Sequence, residues 1–491
     1  MRLVYVDIDS LRPSHLGCYG YARRTSPNID EIASHGVVLT QVYTSDAPCL
    51  PSRSTFFGGR FGITTGLVNH GGTNADPRPE GPLRLFQRRA QQRSFGEALR
   101  SRGMRVVSLS AFPHRHSAYH VWDGFTEMVD TGGDGLGRAD GVYSFAERWL
   151  RANGADDNWF LHVNLWDPHT PYDTPVEFGF PFADDAPPAW LSPELIARQR
   201  SSFGTRSALK PYGLAPTFTW PRGAPEIDGA DTWKAWIDGY DVGIAYADAY
   251  VGRIVELLDE LGVADETAIV VSADHGENQG ELGVYGDHQT ADEYTCHVPA
   301  VICWPGATDG RAGAEISGLV YSVDLAATML ELCGAAVPEG WHGLSFAHEL
   351  AGDALTGRGS LVLQQGAWSC QRGARWDRWL LLRTHHTGFK DFAAVMLFDL
   401  EADPHETEDV AWKHPEVVLQ GLGVIETWVR ARLGEARTAD PLWNVIAEGG
   451  PLHAVEYKPD VCAVLRAHGR EDDAAVLEDD DGRPRIWIRT P

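Results

Sequence analysis

The chain has 491 residues, 42 Lys+Arg against 68 Asp+Glu, and a formal net charge of −26. Its 43% hydrophobic and 22% charged residues suit a globular protein and exclude wholesale disorder, collagen and coiled coil. The acidity argues against nucleic-acid and anionic-membrane partners, so an anionic ligand needs a local positive pocket.

In chain order, Leu3 to Asp9 reads as a buried strand. Its apolar run is too short for a secretory leader, and no stretch of roughly 18 apolar residues follows, so a cytoplasmic chain without a membrane span is expected. Ser26 to Gly36 predicts a helix, with Ser26 as cap, Pro27 first and Gly36 as stop. Ser94 to Gly103 predicts a second helix, and 105–110 a strand. Asn158 to Leu165 predicts a buried strand that ends in Trp166-Asp167-Pro168-His169. Residues 173–235, with Phe178, Phe180, Phe182, Trp190, Phe218 and Trp220, break the rhythm and read as an insertion or lid. Ile244, Ala247, Val251, Ile254, Leu258 and Leu261 recur at helical spacing, with Gly262 as the stop. The strand Thr267–Ser272 leads into Ala273-Asp274-His275-Gly276.

Strands alternating with helices predict an α/β fold, a large mostly parallel sheet flanked by helices on both faces. Ligands in such folds sit beyond the carboxyl ends of the strands, where Asp7, Asp9, His169, Asp274 and His275 fall. Past residue 355 the pattern changes. Ser360–Gln364, Trp379–Arg383 and Val395–Leu400 read as short antiparallel strands, and Pro415–Leu433 as a helix. The expected division is a larger α/β unit at 1–355 and a smaller C-terminal α+β domain at 356–491 that ends in an acidic tail.

Asp7 and Asp9 are two apart on a strand and so share a face. Alone they are also what a solvated strand end looks like. A second acidic strand end at Asp274 favours a hard divalent cation. Seven cysteines (18, 49, 296, 303, 333, 370 and 462) without a C-x-x-C pair fit a reducing compartment better than a disulfide framework or a zinc site.

Cys49-Leu50-Pro51-Ser52-Arg53 resembles the Cys-x-Pro-Ser-Arg signature of the sulfatases. Further blocks follow in family order: Ser10 to Tyr21, Ser26 to Asp30, Trp166 to Tyr172, Ser272 to Glu277, Val298 to Gly306, and Leu397 to Thr407. The resemblance implies an alkaline phosphatase-like fold and sulfuric-ester hydrolysis. It implies that Cys49 is oxidised to formylglycine by a modifying enzyme. It implies one divalent cation, Ca²⁺ first, with Mg²⁺ or Mn²⁺ as alternatives. Asp9, Asp274, His275 and the residue 49 side chain match its ligands. The family's second Asp falls on Ser10, so Asp7 is taken as the fifth ligand. Arg53 matches the residue that holds the modified side chain, and His169 one that contacts sulfate or protonates the leaving oxygen.

The family's active-site lysines are missing, since no Lys precedes Lys210. Phe112-Pro113-His114-Arg115-His116 stands at the first place, and Asp287 takes the second, followed by His288. His169 and His288 are therefore expected as acids, His116 or Arg115 as sulfate contacts, and Asp287 to raise the His288 pKa. The alternative is a later lysine such as Lys390 reaching in. The motifs leave the sulfated substrate, carbohydrate or aryl, unnamed. They also do not separate a sulfatase from a phosphonate monoester or phosphodiester hydrolase. An ordinary metallophosphatase with unmodified Cys49 and an inactive sulfated-ligand-binding relative are the remaining alternatives.

Overall fold

A computed structural model describes residues 1–78, 93–133, 136–212, 222–352 and 354–484. Phe218 and Trp220 of the expected insertion lie outside them.

The central strand is Arg2–Ile8. Leu3, Val4, Val6 and Ile8 are buried, as expected of a strand covered on both faces. It pairs in parallel with Trp159–Leu165 on one side and Thr267–Ser272 on the other. Among the described residues the large sheet runs Ala314–Ile316, Val37–Tyr43, His297–Cys303, Thr267–Ser272, Arg2–Ile8, Trp159–Leu165, Arg105–Leu109, Glu127–Val129, with Val320–Tyr321 also on Val37–Tyr43. Only His297–Cys303 runs antiparallel to its neighbours in that sheet. An apolar run such as Val-Pro-Ala-Val-Ile carries no sign of strand direction.

The helix Pro27–His35 packs on the long helix Ala230–Glu260, which begins inside the expected insertion. Ser26 does not cap it: its Oγ turns to Asp30. Asp248 of the long helix accepts from the Asn28 and Ile29 N–H groups instead, placing a carboxylate where the helix dipole favours one. Gly36 is needed for close approach, since a Cβ there would stand 2.2 Å from the Ile302 carbonyl oxygen.

A second sheet runs Val395–Asp399, Trp379–His386, Cys370–Trp376, Leu361–Gln365, Asp46–Ala47. Its last strand comes from the N-terminal part of the chain, just before the Cys49 motif. Three helices follow in the acidic tail: Pro441–Ala447, Leu452–Ala467 and Glu471–Glu478. Among the described residues no helix is long and apolar enough to cross a membrane.

Candidate active site

The helix Cys49–Gly58 opens at the motif, with Pro48 before it and Gly59 at φ +74° after it. Ser52 Oγ donates to the Asp274 carbonyl at 2.6 Å and fixes the helix to the end of strand Thr267–Ser272. Asp9 lies just past the central strand, and Ser10 turns the chain away at φ +60°. The Ser10 N–H donates to Asp274 Oδ1 at 3.3 Å.

Asp9, Cys49, Asp274 and His275 are all buried, and their ligand atoms lie within 4.8 Å of one another. Cys49 Sγ is 3.0 Å from His275 Nε2. His275 Nδ1 faces the Gly276 carbonyl at 2.8 Å, so Nδ1 carries the ring proton. That leaves the Nε2 lone pair toward Cys49 and the carboxylates, the tautomer a metal ligand needs.

Arg53 lies among three carboxylates. It donates to Asp7 at 2.7 and 3.2 Å and to Asp9 at 3.0 Å, and stands 2.7 Å from Asp274 Oδ2. Phe112 supports the guanidinium, 4.5 Å from its ring centroid. Burial pushes Asp9 up, but Arg53, His169 and His275 together hold it well below the usual carboxylate range. Burial and the Asp9 charge push Asp274 up to about 7, against the pull of Arg53. Asp274 Oδ2 is buried and makes no well-directed hydrogen bond. Three buried carboxylates around one guanidinium leave excess negative charge, and these donors fit a divalent cation.

Asp7 stands apart from this set. Its carboxylate faces Arg53, His162 at 3.3 Å and Asn164 at 3.4 Å. The expected fifth ligand is thus turned to the far side of Arg53. The shared-face inference does not carry over because the strand ends at Ile8 and Asp9 already lies in the turn.

His169, His288 and Cys49 form a second set within 4.8 Å. Trp166 stacks on His169 at 3.9 Å, and the Arg115 guanidinium lies 4.0 Å over Trp166. Arg115 as a whole residue is exposed, while burial lowers the pKa of its guanidinium and the Cys49 and Asp9 side chains act against that. The His169 Nδ1 proton goes to the Thr170 carbonyl, which leaves Nε2 as an acceptor. The His288 ring is 4.1 Å from that of His275 and 5.3 Å from that of His169.

The expectation of charged histidines is corrected here. Burial lowers His169 to about 3, with Arg115 adding to the fall. Burial and the His275 and His169 rings push His288 well down, and Asp287, 3.4 Å away, does not reverse this. Asp287 instead accepts from the His288 N–H at 2.8 Å and lies 3.3 Å from Arg206. His116 packs on Phe112 and His70, with Nε2 buried and unpartnered, and burial lowers it to about 3. Lys390 is buried with its Nζ on the Thr205 carbonyl, outside both sets. Burial lowers it to about 7. Burial and the Asp9 and Asp274 carboxylates push the Cys49 thiol well up.

Sequence reasoning missed His70 and His453. His70 Nε2 accepts from the Leu50 N–H at 3.3 Å, and its Nδ1 is 3.1 Å from His453 Nε2. The Asn-His-Gly-Gly turn after the motif carried a signal for His70. Nothing in the sequence carried one for His453, some 400 residues on.

Residues 2–335 match the sulfatase family model, and 280–420 that of N-sulphoglucosamine sulphohydrolase, C-terminal. Iduronate 2-sulfatase of Homo sapiens is 25% identical over 371 residues, 67% of this chain and 65% of that protein. The chain thus spans just under two thirds of that relative. Arylsulfatase A of Homo sapiens is 24% identical over 485 residues, 89% of each. A protein solved with its substrate D-glucosamine-2-N,6-O-disulfate superposes with a TM-score of 0.71 at 17% identity, over 90% of this chain and 99% of that one. Phosphonate monoester hydrolase from Silicibacter pomeroyi superposes with a TM-score of 0.62 at 19% identity, over 89% and 96%. At these identities the superpositions speak for the fold alone. The sulfatase match covers well over half of the chain, and with it the Cys49 motif and the buried acidic cluster, so the protein belongs to the sulfatase family.

Proposed function

We propose that the protein is a sulfuric-ester hydrolase that uses a formylglycine made from Cys49 and one divalent cation. The observation that carries this reading is the meeting at Cys49 of an acidic, metal-ready set and a pair of neutral histidines. Asp9, Asp274, His275 and the residue 49 side chain would hold the cation, Ca²⁺ in this reading, with Mg²⁺ and Mn²⁺ as alternatives. Such a cation lowers the pKa of a bound hydroxyl and neutralises developing charge. The thiol supports modification, because a buried thiol beside two carboxylates stays protonated and weakly nucleophilic.

Arg53 orients the acidic cluster and screens it from the incoming anion. Arg115 and His116 contact sulfate oxygens. His169 Nε2, an acceptor at rest, takes the proton released as residue 49 attacks, and His288 shares its return to the departing oxygen. Asp7 holds Arg53 and binds no metal. The substrate is a small sulfated molecule, carbohydrate or aryl, in keeping with relatives named iduronate 2-sulfatase and steryl-sulfatase and with a fold neighbour that binds a disulfated glucosamine. Maturation needs a formylglycine-generating enzyme. Seven free cysteines suit a reducing compartment, and the cytoplasm is the proposed location.

The test is intact mass with turnover. Conversion of Cys49 lowers the mass by about 18 Da. Cys49→Ala should fold and lose more than about 10³-fold in turnover of para-nitrophenyl sulfate relative to converted protein. An unconverted chain of full activity would overturn the reading.

A further inference from the structure

The tail helices lie beyond both matched family regions, which end at residues 335 and 420. They are nevertheless built into the site. Asp440 pairs with Arg372 of the second sheet at 2.7 Å, and Leu442 and Val445 pack with Val68 and Cys370. This places the helix Leu452–Ala467 so that His453 meets His70.

The hydrogen bonds fix the tautomers along this path. A backbone N–H only donates, so His70 Nε2, 3.3 Å from the Leu50 nitrogen, is an acceptor. His70 therefore carries its proton on Nδ1 and donates it to His453 Nε2 at 3.1 Å. The His453 proton is then on Nδ1, the side of Glu456, 3.9 Å away. Trp368 packs on His453 with ring centroids 4.9 Å apart, and His116 packs on His70 at the same separation. Leu50 directly follows Cys49, and its N–H belongs to the first helical turn, where no intrahelical partner exists.

We propose that His453 is a positioning residue. It holds the tautomer and orientation of His70, and His70 holds the helix turn that carries residue 49. The tail thereby sets the nucleophile without touching the substrate. The kinetic arm of the test rests on the proposed chemistry at residue 49, and the tautomer arm does not.

Three variants separate positioning from packing. His453→Leu keeps bulk against Trp368 but offers no acceptor. His453→Gln places Oε1 near the site of Nε2. His453→Ala removes both. With converted protein and para-nitrophenyl sulfate, the Leu and Ala variants should lose about 10- to 100-fold in kcat with KM little changed, and His453→Gln should recover most of it. Full activity in His453→Leu, a change confined to KM, or no rescue by His453→Gln would overturn the proposal. Imidazole ¹⁵N shifts of the histidine-labelled wild type give the second readout. They should show His70 protonated at Nδ1 whether or not the enzyme turns over, and an Nε2-protonated His70 would overturn the proposal without touching the proposed function.

Discussion

Asp7, Asp9 and Asp274 look alike in the sequence and do different work around Arg53. Asp9 and Asp274 meet His275 and Cys49, whereas Asp7 is taken up by Arg53 and His162. Removing a ligand charge and removing a clamp charge should therefore differ. If Asp9 and Asp274 hold the proposed cation, Asp274→Asn and Asp9→Asn should strip most of it. Asp7→Asn should keep close to one cation per chain and lose activity through a loosened Arg53. Metal content per chain after gel filtration checks this, and loss of metal from Asp7→Asn would restore Asp7 as a ligand. The residue types at Cys49, Arg53, Asp274 and His275 were legible as a motif. The split between Asp7 and Asp9 was not, because it depends on where one strand ends and which side Arg53 enters. The charge of the histidines was not legible either, since it is set first by burial and then by neighbouring imidazoles and Arg115 that come from distant parts of the chain.

At the level of elements, the strand Cys370–Trp376 shows why part of the second sheet stayed hidden. It reads Cys-Gln-Arg-Gly-Ala-Arg-Trp, with no alternation, yet every residue is buried. Its arginines are satisfied by partners far away in sequence, Arg372 by Asp440 and Gln364, Arg375 by Glu293 and Tyr43. The tail helices were hidden for a different reason: Leu452–Ala467 holds Pro459, and Glu471–Glu478 is strongly acidic, so neither shows a clear apolar stripe. Asp440 joins these elements. It caps Pro441–Ala447 through the Leu442 N–H and pairs with buried Arg372. Asp440→Ala leaves that guanidinium unpaired and the helix uncapped, a loss of about 3–5 kcal/mol. Urea unfolding should show it, and limited proteolysis should cut first in the tail. Unchanged stability would mean that the tail is not anchored there.

Across the whole molecule, the alternation of strands and helices made the central sheet and its active edge legible, while the pairing of Asp46–Ala47 with Leu361–Gln365 was not. Long-range packing also gives a pH signature. His386 is 2% exposed, and its Nδ1 accepts from the Gly388 N–H at 3.1 Å, so the folded ring is neutral. Burial lowers its pKa to about 4. The folded value lies below the unfolded one near 6.5, so the unfolded chain binds the extra proton between those limits. The contribution is complete above about pH 6.5 and shrinks as pH falls toward 4, by up to about 3 kcal/mol for this residue. Urea midpoints from pH 7 to 4.5 should fall more steeply for the wild type than for His386→Gln. Parallel curves would remove His386 from the acid response.

Sulfuric-ester hydrolysis at a converted Cys49 can be tested by one comparison of substrates. The most direct measurement compares kcat/KM for para-nitrophenyl sulfate and para-nitrophenyl phenylphosphonate on protein whose residue 49 has been shown by mass to be converted. The expected result is sulfate release with at least about a 10-fold preference for the sulfate ester. Faster turnover of the phosphonate would make the protein a phosphonate monoester hydrolase on the same scaffold, and no sulfate release from converted protein would rule out sulfuric-ester hydrolysis at residue 49.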